Sequence, residues 1–283
     1  MCPAAVSDGD RRGYIIPIGG GEDKDANPTV LRRFLEVSGG RNADIVILPT
    51  ASQLEETGSI YEEIFLKLGA ANASSIPISS REDCNNPEFA ERCQNATGIF
   101  MTGGNQLRLS TILGGTIVAR TIRTVNARGV PIAGTSAGAS IMSEHMMAGG
   151  SADQSPSEGG AVLAPGLGLT NVGVIDQHFS ERNRLGRLLS AIALNPFLLG
   201  IGIDEDTAAF IGPEDTMDIV GSGTVTVVDG AGMRYSSAHS ADRNQGLGML
   251  GLKMDILHEG CSYDLNLRQA FPPVEDDYNV CNL

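Results

Sequence analysis

The stretch GTSAG at positions 134–138 holds the residues whose types and spacing could do chemistry. It matches G-x-S-x-G, the pattern in which a serine sits on a sharp bend between a strand and a helix. Its setting fits: the apolar run Val130–Ala133 precedes it, and Ala137–Met147 reads as a helix. Small neighbours let strand and helix approach closely, and the first amides of the helix are free to meet a developing oxyanion. The plain alternative is a turn serine, since Gly-Ser turns are common.

A serine at its ordinary pKa needs a base, and the base needs an acceptor to orient it. The chain has four histidines, His145, His178, His239 and His258. His145 falls on the helix expected after Ser136, about 13 Å further along its axis at ~1.5 Å per residue. His239 and His258 fall in a late region with β texture. His178 directly follows the run Val172–Ile175, in DQHF, and is the best base on position; its alternative is a capping or packing histidine. The run Leu199–Ile203 ends in Asp204, Glu205 and Asp206. Any of the three could orient His178, and a solvated acidic turn is the alternative. The order Ser, His, acid differs from the Ser, acid, His order of α/β-hydrolases, which argues against that fold despite the shared motif.

A sheet must bring these groups together. The runs Tyr14–Ile18, Asp44–Leu48, Ile99–Met101, Val130–Ala133, Val172–Ile175 and Leu199–Ile203 read as buried strands. Helix-like segments alternate with them: Thr29–Val37, Ile60–Leu68, Glu88–Cys93, Gln106–Asn126 with a Gly-Gly interruption, Ala137–Met147 and Glu181–Leu194. That alternation predicts an α/β fold with a parallel sheet covered on both faces. Ligand groups in such sheets gather beyond the carboxyl ends of the strands. The candidates are therefore expected at one sheet edge, beside GGGED (19–23), PTAS (49–52) and TGGNQ (102–106). Gly19–Gly21 fits neither G-x-G-x-x-G nor a P-loop, so a strand-end turn lining the site is expected rather than a nucleotide cradle. Beyond residue 205, Ala208–Ile211, Met217–Val220, Thr224–Val228 and Lys253–His258 read as strands with hairpin turns. Residues 149–160 read as a mobile loop, and 1–12 and 272–283 as less ordered tails of a single domain spanning 1–283.

Composition excludes several classes. The chain has 283 residues, 41% of them apolar, enough to bury a sizeable core. A net charge of −14 without a basic stripe argues against nucleic acid. Cys2, Cys84, Cys93, Cys261 and Cys281 are odd in number and widely spaced, so reduced thiols are expected rather than a disulfide scaffold or zinc site. No long apolar stretch and no leader are visible, so a soluble, cytoplasmic protein away from membranes is expected.

GTSAGAS, TGGNQLRL, DQHFSERNRLGRL and GIDEDTA, together with IGGGEDK and GSGTVTVVDG, resemble peptidase family S51, the cyanophycinase family, over nearly the whole chain. The resemblance implies a three-layer α/β/α fold like that of class I glutamine amidotransferases (flavodoxin-like), with extra C-terminal β-hairpin elements. It implies a Ser-His-Glu triad of Ser136, His178 and Glu205, choosing Glu205 over its aspartate neighbours. The implied partner is the cyanophycin polymer, a poly-aspartate with arginine on each β-carboxyl, cut by a serine exopeptidase to β-Asp-Arg; no cofactor or metal is implied, and a homodimer is. Carboxylates on the released unit suit guanidinium forks, and Arg182, Arg184 and Arg187 supply three. Their alternative is pairing with Asp176 and Glu181. Asp176 could hold a substrate guanidinium or fix one of these arginines, with Gln177 lining the same mouth. Gln106 matches a substrate-contacting position, Asn105 stands where Asp is expected, and the Gly104 and Ala137 amides are assigned to the oxyanion hole. Two other readings stay open: an Asp-specific dipeptidase of the peptidase E kind, and a non-catalytic binding protein. A glutaminase is disfavoured because no cysteine occupies an elbow.

Overall fold

The computed structural model describes residues 3–273. Its first half follows the alternating pattern of strands and helices: β1 (Ile15–Ile18), α1 (Thr29–Val37), β2 (Asp44–Leu48), α2 (Thr57–Leu68), β3 (Asn72–Ser75), α3 (Pro87–Gln94), β4 (Gly98–Met101), α4 (Gln106–Leu113), α5 (Ile117–Ala127) and β5 (Ile132–Thr135). The five strands pair in parallel in the order β1-β5-β4-β2-β3. Local chemistry sets the helix starts. Asn86 accepts from the Glu88 amide at 3.0 Å ahead of Pro87, and Thr116 accepts from the Ala119 amide at 3.3 Å. Gly115, at φ 78°, makes the break that separates α4 from α5.

The helix expected over 137–147 is much shorter: α6 (Ala137–Ser140) ends after four residues. The apolar letters that follow enter β6 (His145–Gly150), which pairs antiparallel with β7 (Ala161–Pro165). His145 therefore sits on a strand and not on the helix behind Ser136. Tertiary pairing overrode the helical pattern: Leu167 and Leu169 amides donate to the Ile141 and Met142 carbonyls, and the Glu144 amide donates to Thr170. The loop at 151–160 is tied down as well. Gly186 N–H donates to the Asp153 carbonyl at 2.8 Å, and Ser157 N–H to Ser190 Oγ at 3.0 Å.

The next elements are β8 (Gly173–Gln177), α7 (Leu185–Leu194), β9 (Leu199–Ile203), β10 (Thr207–Ile211), β11 (Thr216–Gly221), β12 (Val225–Asp229), β13 (Tyr235–Ser236), β14 (Met249–Leu250), β15 (Lys253–Leu257), β16 (Ser262–Asp264) and β17 (Gln269–Phe271). They correct the expectation of one sheet edge. β10, β11, β16 and β17 extend the first sheet antiparallel beyond β1, to nine strands. β8 and β9 belong to a second, four-stranded sheet ordered β15-β12-β9-β8. Helix α7 starts at Leu185 rather than Glu181, which leaves Arg182 outside it.

Three apolar layers hold this together. Alternate residues of β1, β2 and β4 (Ile16, Ile18, Ile45, Ile47, Phe100) bury against Phe34 of α1 and Phe65 of α2. The opposite side chains (Ile15, Val46, Leu48, Ile99, Met101) pack with α4 and α5 and with one face of the second sheet through Ile175, Ile201 and Val227. The other face of that sheet, Val174 and Val228, packs on Leu188 and Ile192 of α7. The result is the expected α/β/α class, with the carboxyl ends of β1, β5, β8 and β9 converging although they come from two sheets. The terminal residues 1–2 and 274–283, with Cys2 and Cys281, lie outside the described residues; Cys84, Cys93 and Cys261 are buried free thiols.

Candidate active site

Ser136 has φ 53° and ψ −110°, a conformation that costs a non-glycine residue about 1–3 kcal/mol. The flanking glycines make it attainable. A Cβ on Gly134 would stand 2.4 Å from the Gly138 carbonyl oxygen, and one on Gly138 would stand 2.3 Å from that of Met101. The strand and helix meet backbone to backbone, and only G-x-S-x-G spacing fits. The Ser136 amide donates to Ile18 O at 3.0 Å, which anchors the bend to β1.

His178 follows β8 and also has positive φ, 45°. Its Nε2 lies 2.9 Å from Ser136 Oγ, and its Nδ1 lies 2.5 Å from Glu205 Oε1. The aspartates beside Glu205 have other work. Asp204 accepts from Ser180 N and from the Thr224 amide and hydroxyl. Asp206 accepts from Asp23 N and Ser222 Oγ. Both lock turns, and of the three only Glu205 reaches the imidazole. Glycines 20 and 21 are the surface against which His178 and Glu205 lie. A Cβ on Gly20 would come within 2.3 Å of His178 Cε1, and one on Gly21 within 2.9 Å of Glu205 Oε2.

Burial holds the His178 pKa below its ordinary 6.5; the Glu205 hydrogen bond raises it, and the Arg182 charge lowers it further. A lowered pKa favours the neutral imidazole, the form able to accept a proton.

The predicted binding residues separate into two groups. Asp176 is 0% exposed and lies between two guanidiniums. Arg187 Nε donates to Asp176 Oδ2 at 2.6 Å and its NH2 to Oδ1, and Arg184 NH1 lies 3.5 Å from Oδ1. Arg184 also donates to the Gln177 side chain at 2.8 Å and to the Gln177 carbonyl. At 8% and 5% exposure, Arg184 and Arg187 are committed to Asp176, so of its two readings Asp176 takes that of fixing arginines. Burial pulls the Arg184 guanidinium down to about 10. Arg182 stands apart: it is exposed, its amide donates to His178 O at 3.2 Å, and among the described residues its guanidinium has no ion-pair or hydrogen-bond partner.

On the other side of Ser136 lies the TGGNQ loop. A Cβ on Gly103 would stand 3.3 Å from Ser136 Cβ, so this loop touches the elbow. Gly104 has φ 145°, and its Cβ would strike the Ala51 carbonyl oxygen at 2.1 Å. Asn105 caps α4, its side chain accepting from the Arg108 amide at 3.0 Å, a task Asn and Asp do equally well. Gln106 Nε2 donates to Ala148 O at 3.2 Å and Met147 O at 3.4 Å, holding β6 over the loop. Sequence reasoning missed Glu22, buried behind the elbow; its signal was an acid directly after a glycine run at a strand end.

A serine, a histidine and a glutamate in relay at the meeting of two sheets can be compared with known proteins. The family model for peptidase family S51 matches residues 15–219. A cyanophycinase of Geminocystis herdmanii is 41% identical over 91% of this chain and 96% of its own. One of Synechococcus elongatus is 38% identical over 92% and 81%, and one of Trichormus variabilis 38% over 92% and 88%. The fold resembles a solved peptidase from an acI-B1 Actinobacterium, with a TM-score of 0.66 at 24% identity, covering 90% of this chain and 98% of that one. It also resembles a putative peptidase E of Listeria monocytogenes, with a TM-score of 0.52 at 20% identity over 75% and 100%. The chain belongs to peptidase family S51, and it is a serine-type peptidase.

Proposed function

We propose that this chain hydrolyses cyanophycin to β-Asp-Arg dipeptides, with Ser136 as nucleophile, His178 as base and Glu205 as its orienting acceptor. The observation that carries the reading is the relay, 2.9 Å from Ser136 Oγ to His178 Nε2 and 2.5 Å from Nδ1 to Glu205. Neutral His178 takes the hydroxyl proton as Oγ adds to the backbone carbonyl between successive aspartates. Glu205 accepts from Nδ1–H and stabilises the imidazolium. The Gly104 and Ala137 amides receive the oxyanion, then the C–N bond breaks and the imidazolium protonates the leaving amine. Water, activated by the same imidazole, releases the acyl group.

Arg182 is the arginine available to a substrate carboxylate. Arg184, Arg187, Asp176 and Gln177 form the rigid floor from which its loop rises, and Gln106 holds the opposite wall. In this reading the protein works as a cytoplasmic homodimer. Exposed Met254 and Ile256 on β15, an edge strand of the second sheet, support a covered face, and sedimentation of the purified chain checks it.

Ser136→Ala tests the mechanism. Release of β-Asp-Arg from cyanophycin should fall at least about 10⁴-fold with the melting temperature unchanged. Full activity in that variant would sink the nucleophile assignment. Faster turnover of short α-Asp peptides than of the polymer would move the substrate to dipeptides.

A further inference from the structure

The loop after β1 holds a buried carboxylate that the mechanism above does not use. Glu22 is 3% exposed, yet three donors converge on its two oxygens. Thr135 Oγ1 donates to Oε2 at 2.6 Å, the Tyr61 hydroxyl donates to Oε1, and Lys24 Nζ lies 3.2 Å from Oε1. A carboxylate taken out of water is tolerated only when paired this fully. Burial, and then the Glu22 charge, push the Tyr61 phenol up, so it stays a donor. Lys24 also lies over the Tyr61 ring, 5.5 Å from its centroid.

The partners come from separate elements. Tyr61 is on α2, and Thr135 is the last residue of β5, directly before Ser136. The same loop reaches the other two members of the relay through its backbone. His178 N–H donates to Gly19 O and Asp206 N–H to Gly20 O, each at 2.8 Å, and Asp23 N–H donates to Asp206 Oδ1 at 2.9 Å. One short loop is thus bonded to the nucleophile, base and acid segments, and Glu22 is its side-chain grip on the nucleophile segment.

We propose that Glu22 is a positioning residue: through the Thr135 hydroxyl it sets the angle at which Ser136 faces His178. This rests on the reading of Ser136 as nucleophile. Glu22 touches no reacting atom, and its partners Thr135, Tyr61 and Lys24 are not among the residues assigned to the substrate, so its influence falls on kcat rather than KM.

The test compares Thr135→Val, Thr135→Ser, Glu22→Gln and Ser136→Ala on cyanophycin, with rates normalised to the folded fraction. Thr135→Val and Glu22→Gln should each lower kcat about 10- to 100-fold, the scale of a small misalignment of reacting groups. KM should stay within about twofold, the mark of an interaction felt in the transition state. Acylation by a fluorophosphonate should slow in parallel, and Thr135→Ser, which keeps the hydroxyl, should restore the rate. A purely structural role would lower the melting temperature and leave kcat per folded molecule alone. If Glu22→Gln does not fold, Thr135→Val decides: wild-type kcat in that variant overturns the proposal. An active Ser136→Ala brings down the nucleophile reading itself. An inactive Ser136→Ala beside a fully active Thr135→Val removes only the positioning role.

Discussion

The elbow at the end of β5 and the arginine cluster behind the end of β8 flank His178, yet different forces hold them. The elbow is made of small residues and backbone. Its accuracy is steric, since carbonyl oxygens stand within 2.4 Å of where Cβ atoms on Gly134 and Gly138 would be. The cluster is made of charge, with Asp176 fully buried between two guanidiniums. A steric device fails by misplacing the serine. An electrostatic one fails by leaving charges in the interior without a counter-ion. The first kind of damage should appear in turnover and the second in stability.

Three substitutions sharpen that contrast, taken from the largest expected loss of stability to the smallest. Asp176→Ala leaves Arg184 and Arg187 buried without their counter-ion, and should cost about 3–5 kcal/mol in denaturant unfolding. Turnover per folded molecule should fall less than about tenfold, since no reacting group is lost. Gly138→Ala should cost about 1–3 kcal/mol as α6 shifts away from Met101. Here kcat should fall at least about 100-fold, because the bend itself moves. If Gly138→Ala lost stability with kcat intact, or Asp176→Ala lost kcat with stability intact, the division would be wrong.

Arg182→Gln should leave stability nearly unchanged, because an exposed charge without a partner contributes little. Its effect is on the base. The wild-type acid limb of kcat/KM should lie below pH 6.5, where burial has moved His178. Arg182 lowers that pKa, so its removal raises it, and the limb should move toward higher pH by less than about one unit. KM for the polymer should rise about tenfold if this guanidinium holds a carboxylate. A pH profile unmoved by the change would show that Arg182 does not act on the base.

Much of this was legible in the sequence. DIVIL and LGIGI are strands at their expected bounds, because each is a short apolar run stopped by a polar turn. Thr29–Val37 is a helix at its expected bounds, because only a helical period places Val30, Leu31, Phe34 and Leu35 on one face. The strand at Asn72–Ser75 was silent, since NASS carries no apolar run and is set by pairing with β2. IMSEHMM read as helix, and only the partner segment at 161–170 makes it otherwise. The division into two sheets was also hidden, because strand order is a long-range property that single runs do not encode. At the site, GTSAG and His178 stood out by position. Glu205 was not separable from Asp204 and Asp206 by residue type; it took the S51 resemblance to select it and the bond to Nδ1 to place it.

The loop at 19–23 carries a consequence for synthesis of the chain. It is made early, yet what it grips arrives late: Ser136 from the first sheet, then His178 and Glu205 from the second. The parallel strands of the first sheet alone carry Ser136 without the histidine proposed as its base, which follows β8 of the second sheet. On the mechanism proposed above, hydrolysis needs β8 and β9 docked and the loop bonded to both His178 and Asp206.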